Sequence, residues 1–550
     1  MRVLGLNAIY HDPAATLVVD GRIVAAAEEE RFNRRKHGKP SVPFAAWETP
    51  DRAARWCLEL AGLRAEDLDA VTYSFDPALW RPPAELSLSD PWDDLRHLYA
   101  ERAGGFLATA LPGLDAAKLR YVRHHVAHAA SAALAAPFGG DCAVLVLDGR
   151  GEQHSHLAGQ YRGGTLEPLF SQSLPHSLGL LYEEATEHLG FTRSSDEYKV
   201  MALASYGKPR HLDYLRPLVH ATGEGGFVSS GVDWAVLAKR REPGEPWAAD
   251  HADLAASLQL VLEETLLDLV HWLHDRTGER RLALAGGVAL NCVANTRIFA
   301  ETSFDDVWVQ PAAGDAGTAL GGALTVASQL GERLVEMNTP ALGRGFADEQ
   351  MAAALQTARV RFERPASVAE QVAEELSRDG IVAWFQGRSE FGPRALGHRS
   401  LLAHPGRAAN LVRLNDVKGR EQFRPVAPMV LVERAAELFS RGPIPSPYML
   451  FVHDVHPDWR ERIPAVVHVD GTARIQTVDR ADEPLVAAML DGFERRTGLP
   501  VVVNTSLNTA SRPMVDDIRD ALELFGSTPV DLLAIGPFVI RRANTGGGDW

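Results

Sequence analysis

Short apolar runs that end in polar or glycine-marked turns recur along the first part of the chain. The strand-like runs are residues 3–7, 16–19, 23–27, 142–147 and 156–161. Asp20-Gly21 joins two of them and is a hairpin signal, and residues 28–31 are expected to begin a helix. A second turn lies at residues 148–151. A strand, a polar loop and a hairpin that occur twice indicate a duplicated half-domain.

Apolar residues at helical spacing dominate the chain between these two halves and after them. Residues 253–275 predict a long amphipathic helix. Strands are predicted at 282–285 and 307–310, and glycine-rich turns come after both, at Gly286-Gly287 and within 311–317. Glycines after a strand let backbone amides approach a phosphate or ribose. Neither turn matches a Walker or Rossmann fingerprint, so each is equally consistent with a tight turn in an α/β sheet.

The apolar periodicity fades between residues 331 and 365, which include Pro340 and Gly343, and this places a domain junction there. A helix at 368–377 and a strand at 381–385 open the next domain. The predicted segments are a first domain at 1–335, a linker at 336–365, a second domain at 366–542 and a flexible tail at 543–550.

Composition narrows the class of protein. The 550 residues suffice for two or three domains, and the 46% hydrophobic and 23% charged content is typical of a soluble globular protein. A formal net charge of -16 counts against an extended nucleic-acid surface. The three cysteines form no CxxC pair, and neither a signal-peptide core nor an apolar run of membrane-spanning length is present. We expect a reduced, cytoplasmic protein that binds neither nucleic acid nor membrane.

A histidine cluster is the first candidate for chemistry. Three histidines lie within residues 124–128, and on a helix His124 and His128 share one face. A strand ends nearby in sequence at Asp148, within a glycine turn. Two imidazoles and a carboxylate can supply three ligands of a transition-metal site. The spacing alone is also consistent with ordinary histidines on an alanine-rich helix.

Basic residues mark the loops of the second domain. They comprise Arg388, Arg394 and Arg399 within 387–400, Lys418, Arg420 and Arg424 within 415–425, and Arg474 within 468–476. A strand beginning at Val501 then runs into a loop rich in hydroxyl and amide groups that ends at Asn508. In an acidic chain, a set of arginines on turns after strands indicates capture of phosphate oxygens, although any single arginine is more often a surface charge or part of a salt bridge.

Taken together, the motifs resemble the NodU/CmcH carbamoyltransferase family over nearly the whole chain and in the right order. The matching motifs are Gly5-Leu6-Asn7 with His11-Asp12, residues 27–31, the His124/His128 pair, Asp148-Gly149, Lys199-Val200-Met201 with Tyr206-Gly207, residues 286–291 with Asn295, Gly314-Asp315-Ala316-Gly317, and residues 391–400, 418–428, 468–476 and 504–508. Where relatives usually have Gly-Glu-Pro after the asparagine loop, this chain has Ser511-Arg512-Pro513, which leaves the contacts of that loop open.

The resemblance implies an α/β fold with two domains, the first actin-like and duplicated, of the sugar-kinase and threonylcarbamoyl-transferase type, and the second YrdC-like. It also implies that carbamoyl phosphate and ATP, with Mg²⁺, form a carbamoyl-adenylate in the second domain. The carbamoyl group then passes to a substrate hydroxyl in the first domain. An antibiotic-like sugar or polyketide acceptor is the family expectation, and residues 77–111 or 209–250 are where it would bind.

Site residues are carried over from the resemblance. It implies His124, His128, Asp148 and Asp315 as metal ligands, with iron(II) suggested by the family, while zinc or manganese also suits such a donor set. It places adenosine at Gly286, Gly287 and Asn291, and carbamoyl phosphate at Lys418, Arg424, Arg474, Asn504 and Ser506, with Arg388, Arg394 and Arg399 nearby. His11, beside Asp12, is the expected general base, and Lys418 and Arg474 are expected to act on the phosphates.

Three other classes of protein are weighed against this hypothesis. An actin-like ATPase or kinase explains the first domain but leaves the arginine cluster without a role. A non-catalytic tRNA-binding or regulatory relative built from the same two folds is the second class, and a charge of -16 counts against RNA binding. Hydrogenase-maturation carbamoyltransferases carry zinc fingers, which three scattered cysteines cannot form. A homodimer is the base-rate expectation for the assembly.

Overall fold

A computed structural model describes residues 1–542, so the tail predicted at 543–550 lies outside the described residues. The chain divides into two compact units. The first contains Met1–Leu342 with Phe391–Pro393, and the second contains Gly343–Glu390 and the described residues from Arg394 onward. Each unit has its own sheets and is described separately.

The first unit contains two five-stranded sheets. Its strands are β1 (Arg2–Asn7), β2 (Ala14–Val19), β3 (Arg22–Glu28), β4 (Ala70–Tyr73), β5 (Leu119–Tyr121), β6 (Cys142–Leu147), β7 (His154–Arg162), β8 (Thr165–Ser173), β9 (Val219–Ala221), β10 (Phe227–Ser229), β11 (Arg281–Ala285) and β12 (Asp306–Val309). One sheet has the order β3-β2-β1-β4-β5 and the other has β8-β7-β6-β11-β12, while β9 and β10 form a separate two-stranded sheet. In both, two antiparallel pairings are followed by two parallel ones. The two halves therefore repeat one topology, as the sequence predicts.

Helices cover and connect these sheets. They are α1 (Glu30–Asn33), α2 (Asp51–Leu60), α3 (Asp93–Glu101), α4 (Ala103–Ala110), α5 (His124–Ala133), α6 (Leu178–His188), α7 (Glu197–Ala204), α8 (Leu212–Leu215), α9 (Ala249–Thr277), α10 (Cys292–Glu301) and α11 (Ala316–Gln329). The hairpin predicted at Asp20-Gly21 is present, and both residues have positive φ, of 48° and 73°, as a tight two-residue turn requires.

Small residues allow α5 and α11 to pack closely against each other in the middle of the first unit. A side chain at Gly321 would collide with the carbonyl oxygen of Ala127, and one at Gly5 on β1 would collide with that of Ala319. Alanines also fill much of the buried surface of both helices. This close approach matters for function because α5 and the start of α11 carry three of the candidate site residues.

The second unit is built on one seven-stranded mixed sheet. Its strands are β13 (Val382–Phe385), β14 (Arg399–Ala403), β15 (Ala427–Leu431), β16 (Phe439–Ser440), β17 (His453–Val455), β18 (Thr472–Ala473), β19 (Gln476–Val478), β20 (Val501–Ser506), β21 (Leu532–Ile535) and β22 (Phe538–Arg541). The order is β19-β15-β20-β14-β13-β21-β22, and β16, β17 and β18 form a small separate sheet. Its helices are α12 (Asp348–Thr357), α13 (Val368–Ser377), α14 (Ala409–Lys418), α15 (Val432–Leu438), α16 (Pro457–Arg460), α17 (Pro484–Thr497) and α18 (Ile518–Ser527).

These arrangements confirm the predicted fold class, an α/β chain with a duplicated actin-like domain followed by a YrdC-like α/β domain. One detail differs from the prediction. The segment 336–365, predicted as a linker, contains α12, whose Met351 and Leu355 are buried. Two buried apolar residues in ten are too few to reveal this helix by periodicity.

Two further observations bear on the class of protein. Within residues 1–542, no helix has both the length and the apolarity needed to cross a lipid bilayer. Cys57, Cys142 and Cys292 are all buried free thiols.

Candidate active site

Four predicted metal ligands lie together in the first unit. His124 and His128 lie on α5, Asp148 follows β6 and Asp315 directly precedes α11. All four are buried, and their ligand atoms lie within 4.8 Å of one another. His124 Nε2 is 3.4 Å from an oxygen of Asp148 and 3.6 Å from one of Asp315. Ligand atoms about 2.1 Å from a tetrahedral ion would be separated by about 3.4 Å, so the cluster has suitable dimensions for one ion.

The hydrogen bonding of the cluster also fits a metal. The Nε2 atoms of His124 and His128 and one oxygen of Asp315 are buried, and none has a hydrogen-bond partner within the described chain. Leaving such atoms unpaired in a protein interior costs roughly 1–3 kcal/mol each. A cation bound by two imidazoles and two carboxylates would satisfy them, and iron, zinc and manganese all accept this donor set.

Charges within the cluster keep both carboxylates ionised. Burial disfavours the charged forms, but His124 lowers the pKa of Asp148, and His11 and His124 lower that of Asp315. Burial likewise opposes protonation of His124, whereas Asp148 and Asp315 raise its pKa well above the ordinary value. Anionic oxygens are the form in which aspartate binds a metal.

Neighbouring groups fix the orientation of these ligands. The Nδ1 of His124 lies 3.1 Å from the carbonyl oxygen of Ser74, and Asp148 accepts a hydrogen bond of 2.9 Å from the N–H of Gly287. A carboxylate oxygen of Glu152 accepts the N–H of His124, which has no partner within the helix because it lies at the first residue of α5, and the N–H of Asp76. Such contacts direct the Nε2 of His124 into the cluster.

Neither Ser74 nor Glu152 was identified from the sequence. Ser74 acts through its backbone carbonyl oxygen, which any residue would supply, so its side chain carries no signal. Glu152 is four residues after Asp148 in the same turn, and a carboxylate there was the one available clue.

Replacing Glu152 with alanine is expected to weaken metal binding about 10- to 100-fold, because the start of α5 loses the acceptor that fixes His124. The change in affinity is measured by calorimetric titration of metal-free protein with Zn²⁺. Glu224 is exposed and serves as the control, so its alanine variant should bind Zn²⁺ as the unaltered protein does. Equal affinities for the two variants would contradict the role assigned to Glu152.

The predicted base lies beside this cluster. His11 is half-buried, its Nδ1 is 2.9 Å from Asp12 and its Nε2 is 3.9 Å from the second oxygen of Asp315. Burial lowers the pKa of His11, but the charges of Asp315 and Asp12 outweigh it and raise that pKa well above 6.5. The imidazole therefore faces the candidate metal site with one nitrogen and a fixed carboxylate with the other.

The turn predicted to hold adenosine is joined to the same cluster. Gly286 has φ of 90°, and a side chain there would collide with the carbonyl oxygen of Leu147. The N–H of the next residue, Gly287, binds Asp148. Asn291 has a structural role, since its oxygen caps α10 through the N–H of Ala294 and its amide donates to Gln259. Its contact with adenosine remains a prediction.

In the second unit, the structure brings together Lys418, Ser506 and Asn508. Lys418 ends α14 and is 4% exposed, and its Nζ donates to the hydroxyl of Ser506 at 2.9 Å and the carbonyl of Asn508 at 3.2 Å. Burial, followed by the charges of Arg420 and Arg424, lowers the pKa of Lys418 well below its usual range. A buried amine next to two guanidinium groups is a favourable place for a phosphate.

Asn504 lies two residues before Ser506 on β20, so both side chains point to the same face of the sheet. The amide nitrogen of Asn504 donates to Gln476 at 2.7 Å and to the carbonyl of Ala395 at 3.1 Å. Its oxygen is buried and has no partner in the described part of the chain. The same holds for the Nε of Arg474, which precedes β19. An unused acceptor and an unused donor are therefore available to a ligand.

Glu390 organises the loop that orients Asn504. One of its carboxylate oxygens accepts the N–H groups of Leu396, His398 and Arg399, at 2.7–3.1 Å. Burial raises the pKa of Glu390, but His398 and the N–H groups reverse the effect and lower it. Glu390 was not identified from the sequence, because its partners are backbone groups that no motif displays.

The remaining predicted arginines have different surroundings. Arg399 is completely buried, and its guanidinium donates to the carbonyls of Gln386, His398 and Arg344 and stacks 3.7 Å over the ring of Phe385. These contacts give Arg399 a structural role, and its contact with phosphate stays a prediction. The other predicted arginines of the second unit differ in their contacts and burial. Arg388 donates to the carbonyl of Gly343, Arg424 lies 3.6 Å from Glu421 and Arg394 is half-buried.

The loop that departs from the family pattern has a defined role. Ser511 has φ of 59°, and the carbonyl oxygen of Arg512 accepts a hydrogen bond of 2.9 Å from the amide of Asn508. The guanidinium of Arg512 is paired with Glu523. The loop thus orients Asn508, which in turn contacts Lys418.

Comparisons with known proteins identify the family of the chain. The sequence model of the family described as Carbamoyltransferase N-terminus matches residues 2–78 and 107–324, and that of Carbamoyltransferase C-terminus matches residues 373–542. Nodulation protein NolNO of Sinorhizobium fredii is 39% identical, over 99% of this chain and 81% of its own length. Nodulation protein U of Rhizobium tropici is 31% identical, over 95% of this chain and 93% of its own length.

Two solved structures show more distant likeness. HypF of T. kodakarensis aligns with 61% of this chain and 48% of its own, at 17% identity and a TM-score of 0.40. The ROK hexokinase of Thermus thermophilus aligns with 59% of this chain and 98% of its own, at 16% identity and a TM-score of 0.27.

Proposed function

Because the chain belongs to the carbamoyltransferase family and is an O-carbamoyltransferase, we propose that it makes carbamoyl-adenylate from carbamoyl phosphate and ATP and passes the carbamoyl group to a hydroxyl of a small natural product. The family predicted from the motifs is thereby confirmed. The observation that carries the proposal is that each unit contains one candidate site. The first unit has a buried metal-type cluster beside His11, and the second has a buried lysine beside Ser506.

The first reaction belongs to the second unit. Water releases phosphate from carbamoyl phosphate, an oxygen of the resulting carbamate attacks the α-phosphorus of ATP, and pyrophosphate leaves. Lys418 and Arg474 would neutralise phosphate oxygens during these steps, and Mg²⁺ would accompany ATP. The unpaired oxygen of Asn504 would accept a hydrogen bond from the carbamoyl amino group, which phosphate itself does not possess. This contact would select the carbamoyl end of the substrate.

The second reaction belongs to the first unit. The Nε2 of His11 would take the proton of the acceptor hydroxyl while the hydroxyl oxygen forms a bond to the carbamoyl carbon and AMP leaves. Asp12 would hold the Nδ1 of His11 and stabilise the imidazolium that results. A divalent ion held by His124, His128, Asp148 and Asp315 would supply Lewis-acid stabilisation of negative charge in this step.

Carbamoyl phosphate binding is expected to be accompanied by uptake of a proton. The pKa of Lys418 is lowered in the free protein, and a phosphate dianion beside the amine would raise it again because opposite charge favours the ammonium form. Between these two pKa values one proton binds with the ligand, so affinity falls as pH rises. Calorimetry in two buffers of different ionisation enthalpy measures the uptake. Identical heats in both buffers, or an uptake that persists in Lys418→Met, would rule it out.

The reaction itself is tested by mixing the protein with carbamoyl phosphate, ATP and Mg²⁺ in the absence of acceptor. Phosphorus NMR and mass spectrometry should detect pyrophosphate with AMP or carbamoyl-AMP. A screen of hydroxylated sugars and polyketides, including aminoglycosides, would then identify the acceptor. ADP and phosphate formed without any requirement for carbamoyl phosphate would instead indicate an actin-like ATPase or kinase and would refute the proposal.

A further inference from the structure

The carboxylate of Asp12 is shared between two imidazoles. One oxygen lies 2.9 Å from the Nδ1 of His11, and the other lies 2.9 Å from the Nδ1 of His37. The Nε2 of His37 lies 2.6 Å from the hydroxyl of Ser195, in the segment between α6 and α7. These contacts form a continuous chain from Ser195 through His37 and Asp12 to the expected base. The two steps of the proposed reaction use neither His37 nor Ser195.

The hydrogen bonds fix which ring nitrogens carry protons. His37 and His11 lower the pKa of Asp12 well below its ordinary value against the opposing effect of burial, so the carboxylate is ionised and can only accept. Each imidazole must then donate from its Nδ1. A neutral His11 therefore has a lone pair on Nε2, the nitrogen that faces Asp315. The same reasoning makes the Nε2 of His37 an acceptor for the hydroxyl of Ser195.

Both residues at the centre of the chain have unfavourable backbone conformations. Asp12 has φ of 48° and His37 has φ of 61°, in the left-handed region that non-glycine residues rarely occupy. The amide of Asn7 holds the first by donating to the carbonyls of His11 and Asp12, and Glu30 holds the second by accepting the N–H of His37. Strain maintained by specific contacts at two facing residues is typical of functional sites.

A metal site is the other arrangement that these residues suggest, because Asp12, Glu30 and His37 also place ligand atoms within 4.8 Å of one another. Hydrogen bonds and charge argue against it. The oxygen of Glu30 already accepts the N–H of His37 and lies 3.3 Å from the ammonium of Lys36. A positive side chain at that position repels a second cation.

We propose that His37 is a positioning residue for the transfer step: it occupies the second oxygen of Asp12 and so holds the carboxylate in the rotation that fixes the tautomer of His11. This inference rests on the proposed role of His11 as base. Ser195 contacts the ring of His37 from the opposite side. Without His37, Asp12 would be free to rotate, and His11 would populate the tautomer whose Nε2 carries a proton and cannot accept one.

Two amide variants separate the contacts of His37. The amide nitrogen of asparagine mimics Nδ1, so His37→Asn keeps a donor for Asp12 and loses Ser195. Asparagine also tolerates positive φ better than other non-glycine residues. His37→Gln extends its amide towards Ser195 and loses Asp12, and His37→Ala loses both. Ser195→Ala is the matched control, because it leaves the bond between His37 and Asp12 in place.

The spectroscopic test uses full-length protein labelled with ¹⁵N-histidine and loaded with diamagnetic Zn²⁺. The ring signals of His11 are assigned by their loss in His11→Gln. At a pH above the pKa of His11, where its ring is neutral, we expect a protonated Nδ1 and an unprotonated Nε2 in the unaltered protein, in His37→Asn and in Ser195→Ala, and a mixture of tautomers in His37→Gln and His37→Ala. An unchanged His11 signal in His37→Gln would overturn the proposal.

Kinetics supply the second measurement, with concentrated glycerol as the hydroxyl acceptor and labelled carbamoyl phosphate as the donor. In His37→Gln, kcat for transfer should fall about 10- to 100-fold, whereas KM for glycerol and pyrophosphate release should not change. His37→Asn should remain close to the unaltered protein, and equal losses in the two variants would overturn the proposal. If the unaltered protein released no pyrophosphate, the proposed function would fail, while the NMR result would still decide the role of His37.

Discussion

Replacing His11 with alanine is expected to reduce carbamoyl transfer about 10²- to 10⁴-fold and to leave formation of the adenylate unchanged. The reason is the position of His11: its Nε2 faces the metal-type cluster and its Nδ1 is held by Asp12, so it has the geometry of a general base in the first unit. The residues expected to form the adenylate all belong to the second unit. Pyrophosphate release without acceptor and labelled-carbamoyl transfer to glycerol measure the two steps separately.

A control variant distinguishes this effect from general damage. His220, on β9, is exposed. Within residues 1–542 its ring hydrogen-bonds only to a backbone carbonyl, so His220→Ala should not affect either step. If His11→Ala lost pyrophosphate release and transfer to the same extent, His11 could not be assigned to the second step.

Replacing Arg474 with glutamine is expected to reduce pyrophosphate release about 10²- to 10³-fold. The Nε of Arg474 is buried and has no hydrogen-bond partner in residues 1–542. The substitution therefore removes no hydrogen bond that this atom makes within the protein. A preorganised cation in such a place acts on charge that develops during phosphoryl chemistry. The rate of pyrophosphate formation from carbamoyl phosphate and ATP is the measurement.

Lys418→Met provides a second variant for the same step and should reduce it at least as much, although it also leaves the oxygens of Ser506 and Asn508 without their donor. Lys239 is exposed and its methionine variant is the control. Normal pyrophosphate release by Arg474→Gln, with impaired glycerol carbamoylation, would place Arg474 in the other half-reaction.

Much of the fold follows from local sequence patterns. The hairpin at Asp20-Gly21, the helix at residues 368–377 and the repeated order of strand, loop and hairpin are all present where periodicity and turn residues place them. Helix α12 was not predicted, because two buried side chains on a short amphipathic helix give too weak a signal. Local patterns therefore predict tight turns and helices with many buried side chains better than helices with few.

The site was predictable only in part, for a related reason. His124 and His128 share a helical face that their spacing reveals, whereas Asp315 lies far along the chain and was identified by resemblance alone. His37 meets Ser195 across 158 positions, and Glu390 binds backbone N–H groups. Such contacts depend on tertiary folding, which periodicity does not encode. Arg399 shows the converse, since a charged residue on a turn proved to be buried among carbonyl groups.

The repeated topology of the first unit has an evolutionary consequence. The loop after β1 carries His11 and Asp12, and the corresponding loop after β6 in the other half carries Asp148. The turns after β4 and β11 also correspond, and each orients one metal-type ligand, Ser74 through a carbonyl and Gly287 through an N–H. If one ancestral half-domain was copied, equivalent turns have since diverged into a base and a ligand. Neither copy alone contains both the base and all the metal-type ligands, so selection must preserve the two copies together as a single inherited unit.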